Sequence, residues 1–264
     1  MGNNCVICAV KREMTYMEEH KRKKKTFAIV SPLANEEETF EEYTTALQYA
    51  LDDLEAGEVF FVVDNVSKDN TLDLCNRLEN TDRRFHTVFA PENRNVVDAY
   101  LRGYREALKH PFDYIIEMDG GMSHNPAALP QFIRCLNEGH KCVFGSRFIN
   151  GGSIYDSNWR RTLFSRGGTI LSNLLLGTHM RDMTSGYMGF HADVARKFVE
   201  YGLLSKAHFY QTEVRYLLRY QQYIEVPVHY IAPSPSVRWE AVRNSFAVLF
   251  HYFFMRITGR PAAI

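Results

Sequence analysis

Asp113-Tyr114-Ile115-Ile116-Glu117-Met118-Asp119-Gly120-Gly121-Met122-Ser123-His124-Asn125-Pro126 is the stretch whose reading decides the fold. Phe112 to Ile116 is a short apolar, aromatic and β-branched run, which reads as a buried strand. Glu117 and Asp119 stand at its carboxyl end. Two glycines, Ser123 and His124 follow, and Pro126 suits the first turn of a helix. In an open α/β sheet, ligands sit outside the carboxyl ends of the strands. A carboxylate there, beside glycines that admit a ligand to the backbone, suits a metal-bound diphosphate. The plainer reading is that Asp119 caps the next turn.

Working outward, strands and helices alternate. Thr26 to Ser31, Glu58 to Asp64, His86 to Ala90 and Lys141 to Phe144 have strand length and apolar content. Between them lie helical patterns: one running to about Leu54 from the acidic Asn35-Glu36-Glu37-Glu38 turn, one to about Leu78, Asn93 to Lys109, and Pro126 to Glu138. This order predicts a mostly parallel sheet covered by helices on both faces. Further on, helices are expected over Asp193 to Tyr201, Tyr210 to Tyr220 and Trp239 to Phe254. A polar loop is expected at Met183 to Tyr187 and a strand at Tyr223 to Ile231. No Gly-x-Gly-x-x-Gly follows the first strand and no Gly-x-x-x-x-Gly-Lys occurs, which argues against dinucleotide oxidoreductases and P-loop enzymes.

The 264 residues allow one large domain with an ample core. Lys plus Arg balance Asp plus Glu at 31 each, so charge-driven affinity for nucleic acid is not expected. Five cysteines, Cys5, Cys8, Cys75, Cys135 and Cys142, with no signal peptide fit a reducing, cytoplasmic compartment. Cys5-Val6-Ile7-Cys8 is half of a zinc pattern without its other half. No apolar run reaches the roughly 20 residues needed to cross a bilayer. Residues 1–25 read as a tail ending in the basic run Lys21 to Lys25, either solvated or drawn to an anionic membrane surface. Residues 26–235 read as the main domain, and 236–264 as an aromatic amphipathic helix. That helix would pack on the domain or lie peripherally at the cytoplasmic face of a membrane.

Several separated motifs agree in order and spacing. Pro32, Asn35, Glu36 and Glu37 follow the first strand. Asp64, Ser67, Asp69 and Thr71 follow the second. Then come Asn93 and Gly103, Asp119 with Ser123, His124 and Pro126, and Gly145-Ser146-Arg147. Arg161 and Ser165 follow, then Asp182 with Ser185 and Gly186, Gln211 with Glu213, and Glu225-Val226-Pro227. From about Phe27 to about Phe254 the chain resembles the family 2 glycosyltransferases of GT-A fold, in particular their polyprenyl-phosphate, dolichol-phosphate mannosyltransferase-like branch. The resemblance implies a nucleotide-diphospho-sugar transferase fold that inverts the sugar it moves. It implies a nucleotide-sugar site at Pro32, Asn35, Glu36, Asp64, Ser67, Asn93, Asp119 and Gly120, with Arg238 as the candidate to reach the diphosphate. It places the acceptor phosphate at Arg147, Arg161 and Ser165. The last two stand at i, i+4 on one helical face, and a guanidinium suits a phosphate monoester.

The chain also departs from the family pattern. Asn65 replaces the second Asp of the nucleotide loop, Asn95 replaces a Gly, and Gly121 replaces the second Asp of the Asp-x-Asp motif. That last carboxylate usually binds Mg2+ or Mn2+. The metal is then held by Asp119 with His124, Glu117, waters and the diphosphate, or arginines meet the leaving-group charge instead. A polyprenyl phosphate acceptor is already ionised and needs no strong base. A hydroxyl acceptor, on a glycan or small molecule, would need one, with Asp182 and Glu213 the candidates. A non-catalytic nucleotide-binding or partner subunit is the remaining alternative, motivated by Gly121, Asn65 and Asn95.

Overall fold

The structure, a computed structural model, describes residues 25–155, 159–231 and 239–264, and their side chains except at 160 and 161. The tail with Cys5 and Cys8, and Arg238, therefore lie outside the described residues, as does the Arg161 side chain. Strands β1 (Phe27–Leu33), β2 (Gly57–Val63), β3 (Phe85–Phe89), β4 (Tyr114–Glu117), β5 (Cys142–Ser146), β7 (Met188–His191) and β8 (Tyr223–Pro227) form one sheet, in the order β3-β2-β1-β4-β7-β5-β8. Every neighbouring pair is parallel except those made by β7, which runs antiparallel between β4 and β5. Two-residue strands β6 (Ser153–Ile154) and β9 (His229–Tyr230) pair separately. The helices are α1 (Phe40–Leu54), α2 (Thr71–Thr81), α3 (Val96–Ala107), α4 (Leu129–Asn137), α5 (Trp159–Leu176), α6 (Ala192–Tyr201), α7 (Tyr210–Leu217) and α8 (Trp239–Ile257).

Strand alternation divides the core in two. Phe27 and Ile29 face one cluster with Tyr43, Leu47, Phe85 and Phe132, while Ala28 and Val30 face another with Tyr104, Phe190, Phe198 and Tyr252. Both faces are covered, which is why the strands read as continuous apolar runs. The chain leaves β1 toward β2 and β3 on one side and returns to place β4 on the other. The carboxyl ends of β1 and β4 are therefore where the topology switches, and the loops after them meet. A Cβ added at Gly120 would come within 2.2 Å of Leu33 Cδ2 and 3.1 Å of the Pro32 carbonyl oxygen.

Three local expectations shift for physical reasons. Helix α1 starts at Phe40, because Asn35, with φ 59°, and its neighbours are tied into a loop. Helix α3 starts at Val96, because the Asn95 side chain accepts from the N–H groups of Val97 and Asp98 as an N-cap. The expected strand Tyr223 to Ile231 breaks after Pro227 into β8 and β9. Strand β7 lay outside the sequence reading. It has four residues, and a Cβ at its Gly189 would come within 2.9 Å of Ile116 Cδ1.

Helix α8 packs on the domain through Val248, Leu249 and Tyr252, all buried. Arg256 donates to the carbonyls of Leu174 and Leu175, closing the end of α5. Among the described residues no helix is long and apolar enough to cross a membrane. The free thiols of Cys75, Cys135 and Cys142 are buried.

Candidate active site

The loops after β1 and β2 are laced together by the polar residues that the sequence singles out. The Asn35 N–H donates to Ser67 Oγ at 3.1 Å, its side chain bonds the backbone at Val66 and Lys68, and the Glu36 N–H donates to Thr71 Oγ1 at 2.9 Å. Asp69 accepts from Ser67, from Thr71 and from the Glu37 N–H; these bonds overcome its partial burial and hold it at about 2. Asn35, Ser67 and Asp69 thus spend hydrogen bonds on shaping the loop. Beside them lies a cleft of about 350 Å³ lined by Val63, Asp64, Asn65, Ser67, Lys68, Asp69, Leu72, Asp73 and Phe89. Asn93 stands between the Pro91 carbonyl, which accepts from Asn65, and the cap of α3.

Asp119 lies at the mouth of the switch point, with about a third of its side chain exposed. Tyr100 donates its hydroxyl to Oδ1. Burial keeps that phenol far above its ordinary range, so it stays a donor. The Asp119 N–H donates to His124 Nδ1 at 3.0 Å, which leaves the ring proton on Nε2, 3.7 Å from Asp119 Oδ2. His124 is 1% exposed and stacks on Tyr187, and burial holds it below the usual histidine range. This neutral, sealed imidazole orients Asp119; the metal-ligand expectation for His124 loses its geometric basis, since Nδ1 is engaged and Nε2 carries the proton. Glu117 turns into the core, where Tyr104 and Tyr210 donate to it, and burial pushes it up to about 8 despite those bonds. Gly186 closes the floor: a Cβ there would lie 2.4 Å from Gln211 Nε2 and 3.3 Å from Asp119 Oδ1.

Arg147 follows β5. Its Nε and Nη2 donate to Asp182 at 2.8 and 2.9 Å, and its N–H donates to the same carboxylate at 3.0 Å. Thr184 adds a hydroxyl and an N–H bond to Asp182. The Arg147 guanidinium lies 5.9 Å from the Tyr230 ring, which in turn meets the His124 ring edge-on at 5.7 Å. Asp119, His124, Tyr230, Arg147 and Asp182 therefore form one continuous wall. Arg147 and Arg166 both lie over the Phe148 ring, at 5.3 and 5.2 Å, so α5 brings a second guanidinium toward the first. Ser165 is half-buried on α5, one turn past Arg161.

Neither carboxylate read as a possible base is available for that work. Asp182 is fully buried, and although burial pushes it up, its bonds from Arg147 more than offset this and hold it below its ordinary range. Glu213 is also fully buried, accepting from the N–H groups of Leu204 and Ser205 and from the Tyr252 hydroxyl at 2.7 to 2.9 Å. It ties α7 to the preceding loop and to α8. Glu213→Gln should accordingly cost about 1–3 kcal/mol in urea unfolding, since an amide N–H then faces donors. It should leave the turnover number of the folded enzyme unchanged; a loss of turnover with parent-like stability would restore Glu213 to the chemistry.

Tyr100, Tyr230, Arg166 and Arg215 are site residues that the sequence motifs did not single out as such. Arg215 is fully buried, donates to the carbonyls of Ser185 and Gly145, and so fixes the loop carrying Gly186 against β5. No periodicity marks these residues; their role depends on side chains from α3, α5, α7 and β9 converging on one strand end.

A divalent ion is a reasonable guest by the chemistry of the donors. Among the described residues no three His, Cys, Asp or Glu gather into a cage. A hard cation bound through one or two carboxylates, with diphosphate oxygens and water completing its shell, needs no such cage.

Comparison with known proteins fits this geometry. The model of the family described as Glycosyl transferase family 2 matches residues 28–199. Polyprenol monophosphomannose synthase of Mycolicibacterium smegmatis is 28% identical over 202 residues, covering 75% of this chain and 76% of that protein. Undecaprenyl-phosphate mannosyltransferase of Micrococcus luteus is 27% identical, covering 64% and 70%. Dolichol-phosphate mannosyltransferase of Pyrococcus furiosus is 27% identical, covering 76% of this chain and 55% of that longer protein. Among solved structures, glucosyl-3-phosphoglycerate synthase from Mycobacterium tuberculosis, in complex with Mn2+, uridine diphosphate and glucosyl-3-phosphoglycerate, superposes with a TM-score of 0.62. It is 16% identical and covers 90% of this chain and 81% of its own. The likeness to that structure is one of fold, with the mostly parallel sheet and its flanking helices in common. With its sheet switch point, its Asp119 and its matched span, the chain is a glycosyltransferase belonging to glycosyl transferase family 2.

Proposed function

We propose that this protein moves a sugar, with inversion, from a nucleoside diphosphate sugar to the phosphate of a polyprenyl phosphate. The observation that carries the choice of acceptor is the state of Asp182 and Glu213: both are buried and committed to internal hydrogen bonds, so neither stands ready as a base for a hydroxyl. A phosphate acceptor needs none. Its ionised oxygen bonds to the anomeric carbon as the bond to the donor diphosphate breaks, and the nucleoside diphosphate leaves. Positioning then supplies much of the rate. The relatives named for polyprenol, undecaprenyl and dolichol phosphates support the same reading.

In this reading the nucleoside occupies the cleft at Asp64 and Ser67, beside Pro32, Asn35, Glu36 and Asn93. The diphosphate lies along Asp119 and Gly120, with Arg238 as a further partner. Mg2+ or Mn2+ would be held by Asp119 and would neutralise charge on the departing diphosphate. The acceptor phosphate meets Arg147, Arg166, Arg161 and Ser165. Thermal unfolding against a panel of nucleoside diphosphate sugars tests the donor side. A ligand at 100 times its dissociation constant stabilises the fold by about 2.7 kcal/mol. A shift with one sugar nucleotide is expected; no shift with any of them removes the reading.

A lipid acceptor also calls for a membrane face. Helices α5 and α8 together expose Trp159, Leu163, Phe164, Ile170, Leu174, Trp239, Phe246, Phe250, Phe254 and Ile257. Phe246, Phe250 and Phe254 recur at i, i+4 and form an outward aromatic stripe. Each Phe drawn out of water contributes about 1.5–3 kcal/mol. Replacing these three by Ser should reduce flotation with phospholipid vesicles by at least about tenfold while the melting temperature holds. Unchanged flotation would remove α8 from the membrane. Deleting the helix is the poorer test, because Tyr252 and its bond to Glu213 go with it.

A further inference from the structure

Gly121 stands where the family motif has its second carboxylate, and the space beside it is already filled. Its φ is +64°, and a Cβ built on it would lie 2.0 Å from Glu36 Oε2 and 2.6 Å from Glu36 Cδ. An aspartate at 121 and the present position of Glu36 are therefore mutually exclusive. The carboxylate that the motif lacks along the chain is present in space, delivered by the loop after β1 instead of the loop after β4.

Glu36 is built to stay there. Its N–H is held by Thr71 Oγ1 at 2.9 Å, and its Oε2 accepts from the Thr39 hydroxyl at 2.8 Å. The two carboxylates bring negative charge that no described lysine or arginine pairs with; the Thr39 hydroxyl donates to Glu36, the Tyr100 hydroxyl donates to Asp119, and His124 Nε2 lies 3.7 Å from Asp119. A cation would relieve that charge.

We infer that Glu36 replaces the missing second aspartate, so that Asp119 and Glu36 together face the divalent ion of the donor diphosphate. The inference rests on the donor-site reading above and adds a residue to it. It also explains Gly121 as the residue that makes room for Glu36, so that position 121 is not a lesion in the motif.

The test is Mn2+ binding, followed by the paramagnetic resonance of the free ion, with and without uridine or guanosine diphosphate. Nucleoside diphosphate binding in EDTA is measured alongside. Glu36→Gln keeps the acceptor for Thr39 and removes only the charge. It should weaken Mn2+ binding in the presence of the nucleoside diphosphate by at least about tenfold, as loss of a charged oxygen ligand requires. Each variant's Mn2+ affinity is read against its own nucleotide binding in EDTA, so that a change on the nucleoside side is separated from loss of the metal ligand. The double variant Glu36→Ala with Gly121→Asp should recover most of the Mn2+ affinity, because aspartate tolerates the left-handed conformation better than most residues. Gly121→Asp alone should not reach the parent's affinity, and its melting curve reports whether it folds. Equal Mn2+ affinity in Glu36→Gln and the parent overturns the inference. So does a parent that binds the nucleoside diphosphate in EDTA but never Mn2+, and in that case the donor-site reading survives. A parent that binds neither nucleotide takes both down.

Discussion

Asp119→Asn is expected to lower kcat/KM for sugar transfer by about 10³-fold, equivalent to about 4 kcal/mol of transition-state stabilisation. The substitution removes one charge and little else. Asparagine keeps an oxygen for the Tyr100 hydroxyl and a backbone N–H for His124, and the site is partly open to solvent. Stability in urea should therefore move by less than about 1 kcal/mol. The loss should fall mostly on kcat, because charge on the diphosphate grows as the glycosidic bond breaks. Steady-state kinetics with a saturating acceptor separates the two parameters. Parent-like kcat/KM in a folded Asp119→Asn protein would place the chemistry elsewhere.

Asp182→Ala is expected to destabilise the fold by about 3–5 kcal/mol, the usual cost of stranding one partner of a buried ion pair. Arg147 is only 8% exposed and Asp182 fully buried, so solvent cannot repair the loss. The N–H groups of Arg147 and Thr184 lose their acceptor as well. The pH dependence has a definite sign. Burial would push the Asp182 carboxyl up, but hydrogen bonds and charge from Arg147 prevail and hold it below its ordinary value of 3.8. Its contribution is then complete above that value and disappears as the pH falls through the lower, folded one. The stability gap between parent and variant, measured by urea unfolding, should be constant near neutrality and narrow only below about pH 3.8. A gap that narrows between pH 5 and 7 would mean that the carboxyl is not paired as described.

The sheet was legible because its strands are buried on both faces and write uninterrupted apolar runs between helical patterns. Strand β7 was not, since four residues centred on Gly189 carry no period and form a strand only by slotting antiparallel between β4 and β5. Asp119, Arg147 and the lacing residues Asn35 and Ser67 were legible from motif order. The functions of Asp182 and Glu213 were not: a carboxylate in a motif looks the same whether it faces a substrate or accepts N–H groups from its own chain. Asn95 reads as a missing glycine along the sequence and works as a helix cap in three dimensions. Gly121 reads as a lost carboxylate, and only the fold shows Glu36 pressed against it. Sequence order reports which residues are present; which loop supplies a given charge is settled by the packing of β1 beside β4.

The most direct measurement is to incubate the protein with a labelled nucleoside diphosphate sugar, a divalent ion and vesicles carrying either a polyprenyl phosphate or the corresponding polyprenol, and to determine the anomeric configuration of the product. The expected product is a sugar-phosphate-lipid of configuration opposite to the donor, with one nucleoside diphosphate released per sugar transferred and no product with the polyprenol. Transfer to the free hydroxyl, or a product that retains the donor's configuration, would contradict it.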